Sequence, residues 1–393
     1  MTNTNAATQT LPNIPTAAPA TAPPATPALP PRLLLLDALR FIAAITVVLY
    51  HFTATPTVAG YWDADPEAAF AHVNQVSRYG WLAVPAFFIL SGFVILLTAR
   101  GRTLAQYVGS RAGRLLPAYW AAVALTVLLQ SVWSGGRRTS LTDSLLNLTM
   151  APDLFGAEPV QVVFWTLLVE LKLYLLVGLL VALGGVTARR ALALALAWPL
   201  VAEVAARLGW HPVADALVAH YAPFFGIGIV LYLLRYDGVS PARLAALAVT
   251  LTLGVDHVLT RAQHAAQLQG VAMSAAVAVV VLLACTAAVW WASGPRAQVR
   301  SPRLARALTW GSAVTYPLYL LHSQFGYAII GSLADRLPAW LTLGITLATC
   351  TALAHAVHLV VERRANRPLR RAVERALTLP RRSSRPTATA AHT

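Results

Sequence analysis

Ten long apolar runs follow one another along the chain, separated by polar segments. A helix that crosses a bilayer needs about 17–25 mostly apolar residues, and each run is close to that length. The runs lie at 33–53, 80–99, 115–133, 161–183, 189–206, 216–235, 241–258, 268–292, 310–331 and 337–360. Because lipid-exposed segments must satisfy their own backbone hydrogen bonds, the pattern predicts an all-α fold, a polytopic membrane helix bundle of about ten transmembrane helices.

The composition supports this pattern. Hydrophobic residues make up 57% of the 393 residues and charged residues only 11%, whereas soluble domains carry about 25% charged residues. An ordinary soluble protein is therefore excluded, and the lipid bilayer is the expected surrounding.

The net charge of +15 comes from arginines that lie at the ends of the apolar runs. They are concentrated in alternate connections, which face the cytoplasm if the N-terminus does. The positive-inside rule then predicts that both termini are cytoplasmic. No nucleic-acid partner is expected, because the basic residues are dispersed and do not form one polar domain.

The pattern also predicts three regions. Residues 1–31 are rich in Ala, Thr and Pro and hold no charged side chain, so they are expected to be a disordered tail. Residues 32–362 form the transmembrane domain. Residues 363–393 are an arginine-rich cytoplasmic tail, expected to lie beside anionic lipid.

The first apolar run, LLLLDALRFIAAITVVLYHF, carries Asp37, Arg40 and His51. A charged residue at mid-membrane costs about 2.5–3.5 kcal/mol, so each needs a partner or a polar cavity. Asp37 and Arg40 are three residues apart and share a helix face, and His51 returns to that face about three turns later. Two interpretations are open: an Asp–Arg pair that fixes helix packing with a histidine at the interface, or a functional row that faces the bundle.

Other runs also hold polar residues. The segment FWTLLVELKLYLL contains Trp165, Glu170 and Tyr174, of which the last two are one turn apart and within hydrogen-bonding reach. Lys172 points to the opposite side and needs another partner. The segment TYPLYLLHSQF places Tyr319 and His322 on one face.

Two further segments have simpler interpretations. In FFILSGFVI, Ser91 and Gly92 permit the close approach of another helix. In RAGRLLPAYW, Arg111 and Arg114 lie on one face, where they either anchor the helix at the cytoplasmic side or grip phosphate groups.

His355, His358 and Glu362 share a helix face, which is the spacing of a metal site. Two histidines and one carboxylate near a helix end are weak evidence for a metal, and we expect none.

In this order, the segments resemble the acyltransferase-3 family of bacterial membrane proteins, which includes O-antigen and nodulation-factor acetylases and macrolide acyltransferases. The resemblance covers about residues 33–370. The matching motifs are LDALRFIAAITVVLYHF, FFILSGF, RAGRLLPAYW, FWTLLVELKLYLL and TYPLYLLH. The chain departs from the family's usual pattern at Ala83, Val84 and Pro85, and in the segment from Glu170 to Tyr174.

The resemblance implies a multi-pass protein of the bacterial inner membrane that moves an acyl group, most often acetyl, from cytoplasmic acyl-CoA to a hydroxyl of a carbohydrate or other acceptor. Acyl-CoA is then a co-substrate, and no bound cofactor is expected. A secondary transporter is the alternative, because transporters also bury charged residues.

The same resemblance implies roles for the candidate residues. His51 acts as general base or as transient acyl carrier, Arg40 stabilises negative charge, and Asp37 holds Arg40. Arg111 and Arg114 bind the phosphates of CoA. The remaining candidates orient His51 or bind the acceptor: Glu170, Tyr174, Trp165, Tyr319 and His322.

Overall fold

The computed structural model describes Thr2 and residues 33–378. The predicted tail 1–31, apart from Thr2, and residues 379–393 lie outside the described residues. The described chain is helical and contains no strand. Its eleven helices of 15 residues or more are Leu34–Thr53 (α1), Ala83–Ala99 (α2), Leu104–Val132 (α3), Trp165–Ala182 (α4), Ala188–Arg207 (α5), Ala222–Tyr236 (α6), Pro241–Gln269 (α7), Ala275–Ala292 (α8), Pro302–Leu333 (α9), Ala339–Val357 (α10) and Arg363–Thr378 (α11).

Shorter elements lie in the connections. A π-helical turn, His358–Glu362, joins α10 to α11. The short helices and 3₁₀ turns are Pro56–Ala59, Pro66–Ala69, Ala71–Ser77, Gly80–Leu82, Leu141–Asn147, Pro152–Phe155, Val162–Phe164 and His211–Ala216.

Helices α1 to α10 correspond, in order, to the ten apolar runs. Within the described residues, seven helices are long and apolar enough to cross a membrane. Helix α6 is apolar but short, and α5 and α9 are long but more polar. The prediction of an all-α membrane helix bundle is confirmed.

Some helices extend well beyond their apolar run. Helix α3 begins at Leu104, because Thr103 and Gln106 form a capping box: the Thr103 hydroxyl accepts from the Gln106 amide at 3.3 Å, and the Gln106 side chain accepts from the Thr103 amide at 3.1 Å. Arg111 and Arg114 therefore lie inside the helix and not in a loop before it.

Helices α2 and α6 cross at two glycines. A Cβ atom added to Gly92 would collide with the backbone oxygen of Phe225, and one added to Gly228 would collide with the backbone oxygen of Ile89. Only glycine allows two backbones to approach so closely. The prediction that Gly92 permits a close helix approach is confirmed.

Two polar contacts join separate helices. Arg100, which follows α2, donates two hydrogen bonds of 2.9 and 2.6 Å to the carboxylate of Asp237, which follows α6. The Lys172 ammonium donates to the backbone oxygen of Asp215 at 2.9 Å, which supplies the partner that its position on α4 required. The first contact joins the ends of α2 and α6, and the second joins the middle of α4 to the short helix His211–Ala216.

The segment that begins at residue 363, predicted to be a basic tail, starts as helix α11. This helix packs against the first third of α3, where Gly109 and Gly113 provide the space.

Candidate active site

Five helices, α1, α2, α3, α4 and α9, enclose a cavity of about 100 Å³. Its lining consists of Arg40, Val84, Phe87, Phe88, Ser91, Arg111, Arg114, Leu115, Thr166, Leu167, Glu170, Tyr174, Thr315, Tyr316 and Tyr319. Six candidate residues from four separate sequence segments thus meet in one place: Arg40, Arg111, Arg114, Glu170, Tyr174 and Tyr319.

The cavity is strongly basic. Three arginines, Arg40, Arg111 and Arg114, share it with one carboxylate, that of Glu170. The hydroxyl of Ser91 donates a hydrogen bond of 2.6 Å to the Glu170 carboxylate. Positive charge that exceeds the neighbouring negative charge favours the binding of an anion.

Tyr174, on α4, contacts two residues of α3. The Arg111 guanidinium lies over its ring, 6.0 Å from the centroid, and the Tyr107 hydroxyl donates to its backbone oxygen at 3.1 Å. These contacts tie the arginine-bearing part of α3 to the helix that carries Glu170.

A pair of histidines lies beyond the cavity. The rings of His51 on α1 and His322 on α9 are 5.1 Å apart, edge to face. Nδ1 of His51 is 3.1 Å from the hydroxyl of Tyr327. His51 is eleven residues from Arg40, about 16 Å along the helix axis, which is why the two do not share one lining.

Two backbone carbonyls fix the tautomer of His322. Nδ1 of this fully buried ring is 2.8 Å from the backbone oxygen of Tyr319 and 3.2 Å from that of Leu318. A carbonyl only accepts, so Nδ1 carries the hydrogen and Nε2 carries the lone pair. Nε2 is buried and has no hydrogen-bond partner among the described residues.

Tyr319 connects the cavity to the histidine pair. Its side chain lines the cavity, and its ring lies 5.8 Å from that of His322. Its hydroxyl is 2.5 Å from the Thr166 hydroxyl and 3.1 Å from the backbone oxygen of Val163. The tyrosine is therefore anchored to the start of α4, between the basic cavity and the two imidazoles.

A family model described as an acyltransferase domain matches residues 33–357, which is most of the chain. The chain belongs to the acyltransferase-3 family. The match includes every helix that lines the cavity and both histidines. Comparisons with curated proteins and with solved structures gave no significant match.

Membership of the acyltransferase-3 family supports a membrane acyltransferase, and the cavity with its neighbouring histidines is its candidate active site. Four predicted site residues lie outside the described lining: the two histidines already placed beyond it, Asp37 and Trp165. Asp37 occupies the first turn of α1, one turn before Arg40. Trp165 packs against the ring of Tyr221 at 5.1 Å and is 37% exposed.

Other residues of the candidate active site were not predicted. Ser91 was interpreted as a packing residue, because a small hydroxyl beside a glycine in an apolar run has that meaning in most helices. Thr166 and Tyr316 carried no signal that separated them from ordinary helix residues. The role of Ser91 as a hydrogen-bond donor is seen only in its contact with the Glu170 carboxylate.

Of the residues with metal-site spacing near the end of α10, His358 and Glu362 contact each other. The Nδ1 atom of His358 is 2.7 Å from the carboxylate of Glu362, across the π-helical turn. Within residues 33–378, no group of three or more His, Cys, Asp or Glu side chains is placed to hold a metal ion.

Proposed function

We propose that this acyltransferase moves an acyl group, acetyl in the first instance, from cytoplasmic acyl-CoA to a hydroxyl of a carbohydrate or other acceptor at the bacterial inner membrane. The observation that supports the proposal most is the basic cavity, which gathers three arginines beside Glu170 and leads through Tyr319 to a histidine pair. Family membership favours this reaction class over the secondary transporter that the buried charges alone left open.

Arg40, Arg111 and Arg114 hold the acyl-CoA. The CoA portion carries phosphates, which accept hydrogen bonds from the planar guanidinium group of arginine. Arg111 and Arg114, in the first half of α3, are assigned to these phosphates. Arg40 stabilises negative charge in the donor. Because it lies about 16 Å from His51 along α1, we assign it to the donor within the cavity and not to the atoms at the imidazole.

His51 carries the chemical step. As general base it takes the proton of the acceptor hydroxyl, whose oxygen then attacks the thioester carbon. The tetrahedral intermediate collapses, the carbon–sulfur bond breaks, and the thiolate of CoA leaves and takes the proton back. In the two-step variant His51 attacks the thioester carbon first, the carbon–sulfur bond breaks and CoA leaves as its thiolate. The acceptor hydroxyl then attacks the acyl-histidine, the acyl–nitrogen bond breaks, and the hydroxyl proton passes to the released imidazole.

The other candidates position these groups. Glu170, held by Ser91, balances part of the arginine charge. Tyr174 keeps Arg111 in place through its ring. Tyr319 and His322 form the wall at which the donor thioester meets the acceptor, whereas Asp37 and Trp165 act from outside the cavity, on Arg40 and on the acceptor respectively.

The experiment uses the full chain, reconstituted in lipid, with acetyl-CoA labelled in the acetyl group. CoA release and transfer of label to a panel of sugar acceptors are followed for the wild type, for His51→Ala, and for His72→Ala as a control at an exposed histidine. We expect the wild type and the control to transfer label, and His51→Ala to bind acetyl-CoA without turnover. If the wild type binds no acyl-CoA, the proposed function is wrong.

A further inference from the structure

An open groove of about 700 Å³ lies between α3 and α11, separate from the cavity that Arg40 lines. A groove of this volume accommodates a small organic ligand. It is lined by Thr103, Ala105, Gln106, Arg371, Glu374, Arg375 and Thr378. Five of the seven lining side chains end in a hydroxyl, amide or guanidinium group, so the polar groups of a ligand can find hydrogen-bond partners there.

The walls of this groove are fixed relative to each other. A Cβ atom at Gly109 would lie 2.6 Å from the Glu374 side chain, and one at Gly113 would lie 2.7 Å from the backbone oxygen of Asn366. Contacts this close leave no room for a larger residue on α3. Helix α11 is thus packed directly on the α3 backbone, and its arginines are held beside the start of α3.

Positive charge at the groove exceeds negative charge. The Glu374 carboxylate already accepts a hydrogen bond of 2.7 Å from Arg370, and no other carboxylate lines the groove in the described part of the chain. Arg371 and Arg375 add two further charges. Such an excess of guanidinium groups is the usual environment of a bound phosphate.

Arg102, two residues before α3, shows the same crowding. Burial, and after it the like charges of Arg111 and Arg370, lower the pKa of Arg102. Arg102 is therefore close enough to feel the charge of Arg111, at the cavity, and of Arg370, on α11. From Thr103 at the groove to Arg114 at the cavity is about 16 Å along α3, so one elongated ligand can occupy both places.

We propose that the groove between α3 and α11 binds the phosphate at the nucleotide end of the acyl-CoA donor, with Arg371 and Arg375 as its ligands. Arg111 and Arg114 then take the pyrophosphate, and the thioester arm extends into the cavity. The proposal rests on the proposed function, since it requires acyl-CoA as donor. A phosphate of a lipid headgroup has the same chemistry, and the experiment separates the two sources.

The experiment measures binding to the full chain in nanodiscs of neutral phosphatidylcholine. The ligands are CoA, dephospho-CoA, which lacks the 3′-phosphate, and pantetheine, which lacks the nucleotide. The variant Arg371→Gln/Arg375→Gln is compared with Arg364→Gln/Arg367→Gln, which removes the same charge from exposed positions of α11 outside the groove. Phosphatidylglycerol that co-purifies with each variant is quantified by mass spectrometry.

We expect the groove variant to weaken CoA binding by about tenfold or more, as the loss of charge-assisted hydrogen bonds requires, and the control variant to stay within about twofold. The loss should be smaller for dephospho-CoA and absent for pantetheine. Equal CoA affinity of the two variants, or an equal loss for pantetheine, would overturn the proposal. A groove variant that loses phosphatidylglycerol but keeps its CoA affinity would assign the groove to lipid headgroups instead.

Failure of the proposed function gives a different result. In that case the wild type itself binds neither CoA nor dephospho-CoA, and the groove proposal falls with it. A wild type that binds CoA with an affinity independent of Arg371 and Arg375 overturns the groove proposal alone.

Discussion

The imidazole of His322 lies against that of His51, edge to face, with 5.1 Å between the ring centroids. Two backbone carbonyls hold the hydrogen of His322 on Nδ1, so its Nε2 lone pair is left buried and without a partner among the described residues. An unsatisfied buried acceptor costs about 1–3 kcal/mol. In the proposed reaction, the Nε2 lone pair of His322 receives a hydrogen bond from the ring of His51 once His51 has taken the proton of the substrate hydroxyl.

His322→Asn tests this acceptor. The asparagine amide can still donate to the carbonyls of Leu318 and Tyr319, but it places no acceptor at the position of Nε2. We expect turnover to fall by about 100-fold or more, the usual contribution of a proton-transfer group, with the KM for acyl-CoA within about twofold of the wild type. Thermal unfolding in detergent controls for misfolding. Near-wild-type turnover of a folded variant would show that Nε2 is not used.

Ser91→Ala removes the hydrogen bond to Glu170. Hydrogen bonds to charged groups contribute about 1.5–3 kcal/mol, so we expect acyl transfer, measured as kcat/KM for acyl-CoA, to fall by about tenfold or more. Thr98→Ala is the matched control on the same helix, because the Thr98 hydroxyl bonds only to carbonyls of its own helix. Equal activity of the two variants would mean that Ser91 serves only helix packing.

Gly228→Ala tests the crossing of α2 and α6. The new Cβ would collide with the backbone oxygen of Ile89, and overpacking of this kind costs about 1–3 kcal/mol. We expect a lower midpoint of thermal unfolding in detergent. Gly344→Ala is the control, since a Cβ there meets no heavy atom within 4 Å and should leave the midpoint unchanged or raise it. An unchanged midpoint for Gly228→Ala would contradict the close crossing.

The ion pair between Arg100 and Asp237, at the ends of α2 and α6, should contribute little to the stability of the fold, and its contribution should depend on salt concentration. The hydrogen bonds to Asp237 raise the pKa of Arg100. Because Arg100 is charged at every pH below the ordinary arginine range, the stability gained from its raised pKa does not change near neutral pH. The contribution of the pair is therefore tested by varying salt and not pH. The Arg100 side chain is 37% exposed, and exposed pairs contribute up to about 1 kcal/mol.

The measurement is a double-mutant cycle with Arg100→Gln and Asp237→Asn, by thermal unfolding in detergent at low and high salt. We expect the double variant to lose no more stability than the larger of the two single losses, and the coupling to shrink in high salt. Additive losses would show that the two side chains stabilise the fold independently.

The sequence was sufficient to predict the helices but not all of their ends. Ten apolar runs gave ten helices, because a segment in lipid has almost no alternative to helix. The start of α3 was placed eleven residues late, since hydropathy alone was used. The Thr103 and Gln106 capping box was a readable signal for the earlier start. Likewise, a hydroxyl before a proline, Ser301 and Pro302, marks the start of α9.

The site could be predicted only in part. Spacing identified Arg40, Glu170 and Tyr319 one by one, because each is a polar residue in an apolar run. Their meeting in one cavity depends on which helices pack together, and helix order in a bundle is not encoded in local periodicity. The fixed tautomer of His322 depends on the backbone carbonyls that its ring reaches, and the orientation of the ring is set by the packing around it and not by the local sequence.

In the proposed function, the arginines of the cavity bind the acyl donor, and the histidine pair performs the transfer. The most direct test measures the dissociation constant of acetyl-CoA and the single-turnover rate at saturation for Arg114→Gln and His51→Gln, reconstituted in the same lipid. We predict that Arg114→Gln weakens binding by about tenfold and keeps its saturated rate, whereas His51→Gln keeps its affinity and loses the rate by at least about 100-fold. An Arg114 variant with normal affinity, or a His51 variant that transfers acetyl at the wild-type rate, would contradict the account.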